Sequence, residues 1–256
     1  MAPLLGIVAI LLIGFLIQYR TEGRHNRFIR SAFQYYVTPE VVDTIIEDPS
    51  VLALGGERRE LTIFFSDIAG FTTISESVQP TVLVRFLNLF LSEMTEIILS
   101  EQGTIDKYEG DAIVAFWNAP VALPDHRARA VRAALRMQAR LRELTPRFQE
   151  EFGITPTVRI GIHTGVVTVG NFGSSKRFNY TIIGDAANLA SRLEGVNKIF
   201  GTTILVSEAT QCDLARDFTW RRVGNVRVKG RNAPVNVFEP VDGSSSTLTV
   251  TQLEEF

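Results

Sequence analysis

The sequence predicts an α/β (α+β) domain with a ferredoxin-like, palm-like sheet, preceded by a membrane helix. Three observations carry this. Apolar periodicity alternates between strand and helix spacing in the order strand, helix, hairpin, helix, strand over residues 60–170. Once the ends are subtracted, roughly 185 residues remain, a length suited to one domain, and 45% hydrophobic content over the whole chain supports one substantial core. The third observation is an uncharged apolar run over residues 4–19.

As a helix that run measures about 24 Å against a hydrocarbon core of about 30 Å. Ala2, Pro3 and Tyr19 make up the length at its ends. A secretory signal, the competing reading, needs a basic start and a small-residue cleavage site, and neither is present. Arg20, Arg24, Arg27 and Arg30 follow at once. The positive-inside bias therefore puts the rest of the chain in the cytoplasm, with a single pass through the cell (inner) membrane. The abrupt start of the apolar run is what the last span of a longer sensor would leave. The expected division is a transmembrane helix at 1–19, a juxtamembrane helical linker at 20–56, the globular domain at 57–240 and a flexible serine- and threonine-rich tail at 241–256.

Within the linker, Thr38, Pro39 and Glu40 read as an N-cap, a first-turn proline and a dipole-favoured acid. They open a short helix that runs to about Glu47. Phe28, Phe33, Tyr35 and Tyr36 precede it, equally suited to packing on a partner chain or filling a core.

In the globular domain, residues 60–67 read as a strand ending in Asp67. A helix over 80–101 follows, with Val82, Phe86, Leu89, Phe90, Met94, Ile97 and Ile98 at three- and four-residue steps. Residues 104–107 and 112–117 form the hairpin, with Asp111 in its turn. The second helix, about 125–151, turns Val131, Leu135, Leu141 and Leu144 inward and its arginines toward solvent. Residues 158–163 and 166–170 read as two strands joined by a turn at Thr164 and Gly165.

Chemistry enters through Asp67 and Asp111. Alone, each has a structural explanation, a cap or an ordinary Gly-Asp hairpin turn. Together, a strand-end carboxylate beside a turn carboxylate makes a cradle for divalent metal, because unshielded carboxylates at close range repel unless a cation lies between them. The loop after Asp67 adds Gly70, with backbone N–H groups and the hydroxyls of Thr72 and Thr73, suited to a polyphosphate bridged to such metals. Net charge is −2, which gives no reason to expect nucleic-acid binding. A lone Cys212 cannot form an intramolecular disulfide, and His25, His126 and His163 lack metal-ligand spacing.

Four segments in order, residues 64–72 (FFSDIAGFT), 107–115 (KYEGDAIVA), 181–192 (TIIGDAANLASR) and 226–230 (VRVKG), closely resemble the catalytic domain of class III nucleotidyl cyclases. The resemblance spans about residues 57–240. It implies two divalent ions, Mg2+ or Mn2+, held by Asp67, Asp111 and the backbone carbonyl of Ile68, with Gly70, Phe71 and Thr72 beside the triphosphate. Asn188 matches the residue that orients the ribose, Arg192 the one that stabilises transition-state charge, and Lys229 the polyphosphate lysine. Lys107 and Thr181 match the purine-reading pair.

A lysine ammonium donates to adenine N1 and a hydroxyl accepts from the exocyclic amine, whereas guanine presents the opposite pattern. ATP is therefore the expected substrate and cyclic AMP the product. Thr181 stands where many animal enzymes have aspartate and resembles a bacterial subgroup, some of whose members respond to bicarbonate. A hydroxyl both donates and accepts, which softens its discrimination. The resemblance further implies a homodimer, each site taking its metal aspartates from one subunit and Lys107, Thr181, Asn188, Arg192 and Lys229 from the other. Two alternatives stand beside this reading, a guanylate cyclase and a catalytically silent relay module. A diguanylate cyclase shares the sheet, but its Gly-Gly-Asp/Glu-Glu-Phe signature is missing from this sequence.

Overall fold

The computed structural model describes residues 55–174, 177–227 and 234–241. The apolar run 4–19, the linker helix, Lys229 and the tail lie outside the described residues.

Strand β1 (Gly55–Ile68) leads through two helices, α1 (Phe71–Ser77) and α2 (Pro80–Ser100), to the hairpin β2 (Thr104–Glu109) and β3 (Ala112–Trp117). Helix α3 (His126–Phe152) returns the chain to β4 (Val158–Ser174). Then follow β5 (Arg177–Ile183), α4 (Asp185–Phe200), β6 (Ile204–Ser207), α5 (Glu208–Gln211), β7 (Thr219–Val226) and β8 (Val235–Val241). The sheet order is β2-β3-β1-β4-β6-β8-β7, with β5 paired to β4 alone. Its first half is the ferredoxin-like arrangement, β1 lying between β3 and β4 and antiparallel to both.

Alternation along β1 sorts the core into two faces. Phe64 and Ile68 join Phe86, Phe90 and Met94 of α2, Met137 and Phe148 of α3, and Trp117 of β3. Leu61 and Ile63 join Phe116 of β3, Val167 and Val169 of β4, Ile182 of β5 and Ala186 and Ala190 of α4. The helical stripes read from spacing are largely as expected. Phe86, Phe90, Met94, Ile97 and Ile98 are buried, as are Val131, Leu141 and Leu144, while Val82, Leu89 and Leu135 lie half-buried against the same cluster. The arginine face of α3 is partly exposed and also paired, Arg132 and Arg136 with Glu101, Arg140 with Glu93.

The expected turn at Thr164 and Gly165 is absent: β4 runs unbroken from Val158 to Ser174, and these two residues pair with Thr62 and Leu61. Polar Thr164 resembles turn chemistry in sequence but sits in a buried chain of hydrogen bonds. His126 Nδ1 lies 2.7 Å from the Thr62 hydroxyl, which lies 2.8 Å from that of Thr164, itself 2.9 Å from that of Thr210. Ser207 bonds the ring of His163 at 2.7 Å and lies 3.4 Å from Thr210. On the α4 side, Gly161 is a close contact that a side chain could enter only if the α4 backbone shifted. A Cβ there would stand 2.3 Å from the backbone oxygen of Ala190 and the backbone nitrogen of Glu194.

Candidate active site

Asp67, the penultimate residue of β1, lies beside the hairpin turn that carries Asp111. Residues 110 and 111 are the whole loop between β2 and β3, and Gly110 takes the left-handed φ of 68° that such a short turn demands. Asp111 is buried, and its Oδ2 accepts the amide N–H of Ile68 at 2.9 Å. Burial pushes the Asp111 carboxyl up to about 7, reinforced by a hydrogen bond and like charge from Asp67 and opposed by the Ile68 amide. Such a pair cannot comfortably ionise twice without a cation.

Hard oxygen donors in this arrangement suit Mg2+ or Mn2+, so the residues present fit the expected ions. Among the described residues no cluster of three or more His, Cys, Asp or Glu side chains offers a richer ligand set.

After Ile68 the chain turns at once. Ala69 donates its N–H to the Thr157 carbonyl at 2.8 Å, and Gly70, at φ 71° and ψ 23°, starts α1. Phe71, Thr72 and Thr73 form the first turn of α1, whose leading amides have no acceptor within the helix. Thr72 and Thr73 are exposed.

Sequence reasoning missed two neighbours of the carboxylates. Arg159 is the cross-strand partner of Asp67, with Nη2 3.7 Å from its Oδ2. The same guanidinium bonds Glu194 of α4 at 2.9 Å. Burial pushes the Glu194 carboxyl up, and Arg159 offsets this. Arg159 stands in an alternating strand and Glu194 in a helix, with no local signal to set them apart.

Asn188 and Arg192 both lie on α4, one turn apart, Asn188 exposed and Arg192 half-buried. Lys107 and Thr181 come together from β2 and β5 around a third residue, Asp106. The Thr181 hydroxyl donates to Asp106 Oδ2 at 2.9 Å, and Lys107 Nζ lies 3.7 Å from the same oxygen.

The sequence model of the adenylate and guanylate cyclase catalytic domain matches residues 56–239. The chain belongs to this family. Among relatives of this cyclase domain, it is 38% identical over 223 residues to adenylate cyclase 1 of Rhizobium meliloti (strain 1021), covering 86% of this chain and 33% of that protein. It is 34% identical to an adenylate cyclase of Anabaena cylindrica, covering 86% of this chain and 43% of the other. The chain thus spans less than half the length of either relative. Among solved structures, the adenylyl cyclase CyaB from P. aeruginosa superposes with a TM-score of 0.69 at 38% identity, covering 74% of this chain and 97% of that one. The guanylyl cyclase Cya2 superposes at 0.67 with 35% identity, covering 73% and 94%.

Proposed function

We propose that this cyclase domain is an adenylate cyclase that converts ATP to 3′,5′-cyclic AMP and pyrophosphate. The observation that carries the choice of ATP is the meeting of Lys107 and Thr181 at Asp106, which sets a cationic donor beside a hydroxyl. Adenine offers an acceptor at N1 and a donor at its amine, and guanine inverts both.

Asp67, Asp111 and the Ile68 carbonyl are the groups that would hold two divalent ions. When bound, these ions supply Lewis acidity that lowers the pKa of the ribose 3′-hydroxyl and neutralises triphosphate charge. The amides of Gly70, Phe71 and Thr72 and the Thr72 hydroxyl face the triphosphate, and Lys229 adds a cation to it. Asn188 holds the ribose so that its 3′-oxygen lies in line with the α-phosphorus, and Arg192 balances the charge that builds on the phosphates as the bond to pyrophosphate breaks. In a homodimer, Asp67 and Asp111 of one subunit serve with Lys107, Thr181, Asn188, Arg192 and Lys229 of the other, giving two sites.

The test is cyclic nucleotide formation by the purified chain from ATP or GTP, with Mg2+ or Mn2+, over a protein dilution series. Cyclic AMP from ATP, with specific activity falling on dilution, is the expected result. Preferential conversion of GTP would reassign the substrate, and no product from folded, dimeric protein would leave a silent relay module.

The apolar run 4–19 and the arginines after it support a membrane anchor with the cyclase domain on the cytoplasmic side. Recovery of the expressed chain in the soluble fraction, against the membrane fraction expected, would refute the anchor.

A further inference from the structure

The strand β2 carries an irregularity at the place where base recognition is expected. Ile105 pairs with Ala115 and Lys107 pairs with Val114, so Asp106 is an extra residue with no partner of its own across the ladder. A bulge of this kind re-aims side chains. Here Asp106 and Lys107 both reach toward β5, and Asp106 takes the hydroxyl proton of Thr181.

Asp106 is an expensive residue to keep in that place. Its side chain is 2% exposed, and its second oxygen, Oδ1, is buried with no hydrogen-bond partner among the described residues. Burial raises its pKa, while the Thr181 hydroxyl and Lys107 pull the other way. An apolar side chain would fill the position without an unsatisfied acceptor.

We propose that Asp106 is the positioning residue that sharpens the choice of adenine over guanine, by fixing the Thr181 hydroxyl as an acceptor toward the base. A free threonine hydroxyl serves either purine, accepting from the adenine amine or donating to guanine O6. Once its proton is committed to Asp106 Oδ2, only lone pairs remain to face the base. The same oxygen lies near the Lys107 ammonium, which presents the complementary donor. The pair then reads acceptor and donor in fixed places, and guanine is mismatched at both. The inference rests on ATP being the substrate, with Lys107 and Thr181 reading its base.

The test is the ratio of kcat/KM for ATP to that for GTP in wild type, Asp106→Ala and Asp106→Asn. Asp106→Ala frees the Thr181 proton and is expected to lower the ratio about ten- to a hundred-fold, chiefly through a fall in KM for GTP. Asp106→Asn retains a side-chain oxygen that accepts from Thr181 and is expected to hold the ratio near the wild-type value. In a Thr181→Val background, Asp106→Ala is expected to change the ratio no further.

A ratio unmoved by Asp106→Ala, or lowered equally by Ala and Asn, overturns the assignment while leaving the adenylate cyclase reading intact. Wild-type protein that makes no product from either nucleotide sinks both. Should Asp106→Ala not fold, Asp106→Leu, which fills the buried position without an acceptor for the Thr181 proton, takes its place. It is expected to lower the ATP-to-GTP ratio about tenfold or more, and a ratio held at the wild-type value would overturn the assignment.

Discussion

Ile68 donates its backbone N–H to the Oδ2 of Asp111 at 2.9 Å, joining the end of β1 to the hairpin turn across more than forty residues. This bond sets the two acidic segments side by side without consuming the Ile68 carbonyl or the other Asp111 oxygen. Asp111→Asn keeps an oxygen to accept the amide but removes the charge. Its expected effect is a fall in cyclase rate of roughly 10²–10³ with the fold intact. Mn2+ binding followed by electron paramagnetic resonance is expected to weaken in parallel.

Metal-free protein is expected to lose stability as pH rises from about 4 to about 7. The folded Asp111 carboxyl titrates near 7, while an unfolded one titrates near 3.9, so over this window the folded chain holds a proton that the unfolded chain has released. Raising the pH strips that proton and destabilises the fold. Thermal melts in chelator across this range test it, and Asp111→Asn is expected to reduce the slope to the part left by Asp106 and Glu194, whose carboxyls burial also pushes up. Saturating Mn2+ is expected to reverse it, because the ions bind the ionised pair. A slope unchanged by the substitution would remove Asp111 as its source.

Arg192→Ala is expected to cost roughly 10²–10³ in rate, the range for losing one transition-state charge partner. Near-normal turnover would contradict the role proposed for Arg192. Mixing this variant with Asp67→Ala is expected to restore one working site per heterodimer. Mixtures as inactive as their components would argue against sites shared between subunits.

Gly161→Ala tests how α4 is seated. The added methyl would need the α4 backbone to retreat from a 2.3 Å approach, an overpacking that costs about 1–3 kcal/mol. Glu194 moves with the helix and pulls on Arg159 beside Asp67. A lowered melting temperature with reduced rate is expected, and a variant as stable and active as wild type would show that α4 has room to move.

The first half of the sheet was legible because its signals are local. The apolar steps of α2 and α3 and the Gly-Asp turn each declare themselves within a few residues. Thr164 misled because a buried threonine bonded to Thr62 and Thr210 looks, in sequence, like a turn residue. Asp67 and Asp111 stood out through their positions at a strand end and a turn. Asp106 did not, because a bulge depends on the register of the neighbouring strand, which no local pattern records. Arg159 and Glu194 acquire meaning only when β1, β4 and α4 meet.

The buried chain from His126 through Thr62, Thr164 and Thr210 toward Ser207 and His163 has a consequence for assembly. It works as a key cut to one lock. Slip β1 by one residue against β4, and Thr62 turns to the opposite face, leaving Thr164 and His126 without the hydroxyl they share. Only one alignment satisfies these partners, and that alignment sets Asp67 opposite Arg159 at the strand's end. Polar groups that never meet a substrate thereby choose which side chain stands at the metal cradle.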